Sequence, residues 1–100
     1  MLHTVNKSPF ACRSLEACLG LVAAGSDVLL IEDGVYGAID GTAVALDIVR
    51  AMDSCQVYVL EPDLKARGIA PDILIHGVER VGYDGFVKLA STNTKVQSWY

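Results

Sequence analysis

Basic charge is scarce in this chain of 100 residues: eight Lys and Arg stand against twelve Asp and Glu, a formal net charge of −4. The eight are scattered, so no basic face exists to grip a phosphate backbone and no polybasic run to hold an anionic membrane. Direct nucleic-acid binding and membrane attachment are not expected. The longest uninterrupted aliphatic run, Val28 to Ile31, is far short of the roughly 20 residues of a bilayer span. Cysteine is sparse as well. Cys12, Cys18 and Cys55 are odd in number and lack C-x-x-C spacing, which fits neither a disulfide framework nor a zinc site. A reducing, cytoplasmic compartment and no bound metal are the expectations. Ala17 to Gly25 has the look of a short signal-peptide core, but Glu16 sits where a leader or lipidation box needs an apolar or small residue. Finally, Gly34-x-x-Gly37-x-x-x-Gly41 matches neither the dinucleotide fingerprint nor the phosphate loop. No cofactor is expected. A flavin leaves no strict signature on an open parallel sheet, so a stand-alone flavin-binding protein stays open as the weakest reading.

What the chain has in excess is apolar matter. Hydrophobic residues make up 52% of it and charged residues 20%, the latter against about 25% in typical domains. One hundred residues give room for a single domain, spanning 1–100, that buries roughly two thirds of its unfolded surface. A monomer this small leaves part of the apolar surplus outside, and contiguous apolar patches mark interaction sites. An oligomer is expected.

The pattern along the chain alternates short aliphatic runs with helical periodicity. Leu2 to Val5 reads as a strand that Asn6-Lys7-Ser8-Pro9 breaks. Leu15, Cys18, Leu19 and Val22 fall on one helical face, with Ser14 as N-cap and Gly25 as stop. Val28 to Ile31 lacks alternation, the mark of a central strand covered on both faces. A short helical stretch at 35–39 precedes a helix over 42–52, in which Ala45, Ile48, Val49 and Met52 point inward. Val57 to Leu60 is a further buried strand, after which Asp63 caps a short helix through Arg67 that Gly68 ends. Ile73 to Ile75 and Val78 to Val81 read as one or two strands around His76-Gly77, Tyr83 to Ala90 as a helix, and Val96 to Trp99 as an edge strand. Together these predict a three-layer, Rossmann-like α/β fold with a mostly parallel sheet of four or five strands and right-handed crossovers.

In such a sheet reactive groups gather beyond the carboxyl ends of the strands. That nominates four loops: 6–13, 32–37, 61–63 and 76–77. Glu32 and Asp33 are adjacent, so their side chains diverge on an extended backbone and make a poor acid/base dyad. His3 lies within a strand, where a buried, hydrogen-bonded role outweighs a catalytic one. Cys18 carries a real ambiguity. It belongs to the inward stripe of its helix, yet it falls at the end of the first turn with Lys7 and Arg13 near in sequence, which lowers a thiol pKa if the group is accessible.

The segments Leu2 to Phe10, Ser14 to Leu19, Glu32 to Tyr36, Tyr58 to Gly68, Tyr83 to Val87 and Val96 to Trp99, in this order and spacing, resemble the DsrH/TusB family of small sulfur-relay subunits. The resemblance covers almost the whole chain. It implies a DsrE/F/H-like fold and assembly with DsrE/TusD-like and DsrF/TusC-like subunits as a hetero-hexamer. It further implies passage of persulfide sulfur to a DsrC/TusE-like carrier, either for 2-thiolation of the tRNA wobble uridine or in dissimilatory sulfur metabolism. Cys18 matches the cysteine of DsrH-type members, which TusB-type members often lack, so the resemblance leans toward the Dsr branch; it makes Cys18 the candidate persulfide carrier, at most a sulfurtransferase role. The family attributes the main sulfur-accepting cysteine to the DsrE/TusD-like partner, which leaves a non-catalytic structural subunit as the alternative. Cys12 and Cys55 match no family cysteine.

Overall fold

The computed structural model describes residues 1–100. Five strands, β1 (Leu2–Val5), β2 (Asp27–Leu30), β3 (Gln56–Leu60), β4 (Glu79–Val81) and β5 (Val96–Trp99), form one sheet in the order β4-β3-β2-β1-β5. Every neighbouring pair is parallel. The helices are α1 (Ser14–Leu21), α2 (Ala45–Ala51), α3 (Glu61–Ala66) and α4 (Tyr83–Thr92), with 3-10 segments at Glu32–Ala38 and Pro71–Ile73. The expected α/β class is present, and the expected mostly parallel sheet of four or five strands is an all-parallel sheet of five, with β2 at the centre and β5 at an edge.

Chain direction decides the layers. From β1 to β4 each strand is laid beside its predecessor in one direction, and right-handed crossovers then place α1, α2 and α3 on one face. The step from β4 to β5 runs back across the sheet, which puts α4 on the other. Packing agrees: Val5, Val28, Leu30, Val57 and Val59 share a face and form one core with Leu15, Cys18, Ile48 and Leu64. On the opposite face α4 lies over Asp27, Tyr58, Glu79 and Val81 and buries none of its own residues. Gly85 permits this approach, because a Cβ there would stand 2.8 Å from the Val81 Cβ.

The total accessible surface is 5534 Å², in line with about 5,500 Å² for a folded chain of this length. The apolar surplus thus sits outside an ordinary core. Phe10, Leu21, Leu46, Val49, Tyr83, Val87 and Tyr100 are exposed. Val49 corrects the inward stripe read for α2, in which only Ala45 and Ile48 are buried.

Three further local readings are revised. Ser14 is the first residue of α1 and not its cap; Arg13 takes the cap position, with no side-chain cap bond. Asp63 lies inside α3, which starts at Glu61 with Pro62 in its first turn. Its carboxylate accepts instead from the Glu32 backbone N–H at 2.6 Å. Ile73 to Ile75 is no strand: Pro71 sets a 3-10 turn, and Leu74 makes only an isolated antiparallel bridge to Ile39. Proline lacks the N–H that a ladder requires, and a local apolar run does not supply it.

Candidate functional site

Because all five strands are parallel, their carboxyl ends open at one rim. Three of the four nominated loops meet there: 6–13 after β1, the 3-10 segment after β2, and the start of α3 after β3. The fourth does not. His76-Gly77 precedes β4 and lies at the opposite rim, where a Cβ on Gly77 would touch the Met52 sulfur at the end of α2 at 3.3 Å. The misplacement follows directly from reading Ile73 to Ile75 as a strand.

The rim is built by close backbone approach and by charge. Gly34 lies against the β1 backbone so tightly that any Cβ would collide with the Val5 carbonyl oxygen. Glu32 takes a left-handed backbone at φ 50°, a conformation that non-glycine residues rarely adopt. Its N–H is held by Asp63, which offsets part of the strain. Arg67 then ties the segment to α3: its Nε donates to Asp33 Oδ1 at 2.9 Å and its Nη1 to the Asp63 carbonyl at 3.2 Å. The backbone N–H of Glu32 and the carboxylate of Asp33 thus fasten the loop to α3.

The three thiols have distinct surroundings. Cys18, the candidate persulfide carrier, has 0% exposure and belongs to the main core. Burial first, and then the neighbouring Cys55, push its pKa up to about 12. This is the reverse of the depression anticipated from Lys7 and Arg13. Arg13 is turned to solvent and paired with Glu16 at 3.0 Å, so no cation compensates the desolvated thiolate. Cys55 is also buried and donates to the Ala23 carbonyl at 3.3 Å.

Cys12 is different. It is half-buried in the rim loop, with its sulfur 3.1 Å from the Ser14 hydroxyl. The Ser14 hydroxyl lowers its pKa, the Ser14 backbone N–H and Lys7 add to the effect, and desolvation opposes them. Sequence reasoning passed over it. The available signal was local: a cysteine two residues before a serine at a helix start, where first-turn amides are unpartnered. No group of three or more His, Cys, Asp or Glu side chains is arranged to hold a metal, and no helix is long and apolar enough to cross a membrane.

Comparison with known proteins agrees with this architecture. The family model described as "DsrH like protein" matches residues 7–96. Protein TusB of Erwinia tasmaniensis is 44% identical over 99 residues, covering 99% of this chain and 100% of that protein. The TusB proteins of Serratia proteamaculans and Shigella flexneri are 38% and 34% identical over the same coverage. Among solved structures, the ychN protein of E. coli superposes with a TM-score of 0.85 at 18% identity over 97% of both chains. MTH1491 of Methanobacterium thermoautotrophicum, titled a protein of unknown function, gives 0.81 at 14% identity over 97% of this chain and 96% of its own. The class is thus the small α/β proteins with an all-parallel five-stranded sheet. Within it, the chain belongs to the DsrH/TusB family. Family membership assigns a sulfur-relay role within a multi-subunit complex.

Proposed function

We propose that this chain is a structural subunit of a hetero-hexameric sulfur-relay complex, assembled with DsrE/TusD-like and DsrF/TusC-like subunits, that delivers persulfide sulfur to a DsrC/TusE-like carrier. Its contribution is surface and not thiol chemistry at Cys18. The observation that carries this reading is the complete burial of Cys18 within the core. In persulfide exchange a thiolate attacks the outer sulfur of a persulfide, the old S–S bond breaks, the donor leaves as a thiolate, and no net oxidation occurs. A thiol without surface and with a pKa near 12 neither reaches the donor nor ionises at neutral pH.

The exposed apolar side chains on α1, α2 and α4 support a role in docking, as does the excess of apolar residues over charge. The TusB name of the relatives above favours the tRNA wobble-uridine setting over dissimilatory sulfur metabolism.

The test is to co-express the chain with its two partner subunits and follow persulfide transfer to the carrier. Cys18→Ser and Cys18→Ala complexes are expected to assemble and to transfer at rates within about twofold of wild type. Loss of transfer by tenfold or more in an intact hexamer with either variant would return the relay role to Cys18. Intact mass after treatment with a persulfide donor, followed by peptide mapping, checks the chemistry separately. No added sulfur is expected on Cys18.

A further inference from the structure

The edge strand β5 is bonded on one side only and exposes most of its side chains. Val96, Gln97 and Ser98 are exposed, and only Trp99 turns partly into the core. Its backbone is tied to β1 by the Leu2 N–H to the Lys95 carbonyl at 2.9 Å and the Asn6 N–H to the Trp99 carbonyl at a longer 3.4 Å. Two side-chain bonds add to these, one on each face of the sheet. Thr4 Oγ1 donates to Ser98 Oγ at 3.3 Å, and Trp99 Nε1–H donates to His3 Nδ1 at 3.0 Å. The second is the tighter, and His3 is 6% exposed.

An imidazole Nδ1 accepts a hydrogen bond only while it carries no proton. The bond therefore fixes His3 as the neutral ring with its hydrogen on Nε2. Protonation would set an N–H donor against the indole N–H and would leave a cation in a nearly closed site. We propose that His3 and Trp99 form a proton-sensitive latch that holds β5 on β1, and that protonation of His3 loosens this edge while the rest of the sheet stays paired.

The surroundings supply nothing that would welcome the charge. On its own strand the N-terminal ammonium repels it. From β2 the register partner is Val28. Asp27 pairs with Leu2 and projects to the other face, where it accepts from Asn93. From β5 the partner is Gln97, and Lys95 at the foot of the strand is a like charge. Helix α1, packed on β1, presents the buried Cys18 and keeps its Arg13–Glu16 pair in solvent. Burial first and the N-terminal charge second hold the His3 pKa below its ordinary 6.5.

The experiment is amide exchange on the full chain, read as protection factors while the pH is lowered from about 7.5 to about 4.5, across the ordinary imidazole range near 6.5. The Leu2 and Asn6 amides, which donate into β5, are expected to lose about tenfold protection, the equivalent of one hydrogen bond. The Asp27 and Ile31 amides, which donate to Met1 and Val5 on the opposite side of β1, are expected to keep theirs. His3→Gln offers an acceptor that does not titrate and should abolish the acid loss. An equal loss at Ile31, or an undiminished loss in His3→Gln, would overturn the latch. A second reading does not depend on that variant folding. In Trp99→Phe the neutral ring loses its donor, so the His3 midpoint followed by NMR should rise, and an unmoved midpoint would refute the coupling. Trp99 is the one tryptophan in the chain, so fluorescence reports the same event directly.

Discussion

The two faces of the sheet are stabilised in different ways. On the α1–α2–α3 face, fourteen buried residues, Val5, Leu30 and Val59 among them, pack into one cluster. On the α4 face the strands contribute buried Leu2, Leu29 and Leu60, while the covering helix buries nothing of its own and leaves Tyr83 61% and Val87 68% exposed. Burial also raises the Tyr58 pKa under α4, with Asp27 and Glu79 adding to it. The first face is a finished interior. The second is covered thinly by one helix whose outer side is apolar, and the difference separates what the chain needs in order to fold from what it offers to other molecules.

The sharpest way to break this contrast is Leu15→Ala on the closed face. Leu15 is fully buried, and its truncation should cost about 2–5 kcal/mol in urea unfolding. A cost below about 1 kcal/mol would mean that the face is less well packed than it looks. Next comes Gly34→Ala, which drives a methyl group into the Val5 carbonyl. Overpacking of this kind should cost about 1–3 kcal/mol, and Cys12 should then alkylate faster as the rim loop shifts. An unchanged unfolding midpoint would show that the rim yields without strain. Cys18→Ser is expected to cost about 1–3 kcal/mol, towards the lower end because a helical serine can donate to the carbonyl one turn back, here that of Ser14.

The thiols sharpen the comparison without mutation. At pH 8, a thiol with a pKa of about 12 is ionised to only about one part in 10⁴. Alkylation should therefore label Cys12 first, with Cys18 protected until the chain unfolds. Equal rates at the two residues would disprove the difference between rim and core. The smallest effect belongs to the outer side of α4. Val87→Ser should leave stability within about 0.5 kcal/mol while weakening association with partner subunits in a pull-down titration. A large loss of stability would mean that the helix is held more tightly than its exposure suggests.

Much of the framework was legible because it is written in contiguous residues. The unalternating Val28 to Ile31 run led to the central strand, which spans Asp27–Leu30, and the Leu15, Cys18, Leu19, Val22 spacing led to a helix packed on the sheet. What stayed hidden depends on partners distant in sequence. Asp63 looks like a helix cap, but the donor that it serves is Glu32, 31 residues earlier. His76 looks like a strand-end residue until Pro71 converts the preceding run into a turn. Cys18 and Cys12 differ in burial, which spacing alone leaves undecided, and the resemblance drew attention to the buried one. The His3–Trp99 bond joins residues 96 apart.

That separation bears on how the molecule is made. Of the five strands β1 is synthesised before the others, yet one of its two edges has no neighbour until β5 has been made, 94 residues after Thr4 at the Thr4–Ser98 bond. At about 5–20 residues per second the nascent chain carries that bare edge for some 5–20 seconds. During translation the amino-terminal segment is thus an adhesive strip awaiting its own tail, and it is the place where a chaperone or a sister polypeptide would have its earliest opportunity to bind.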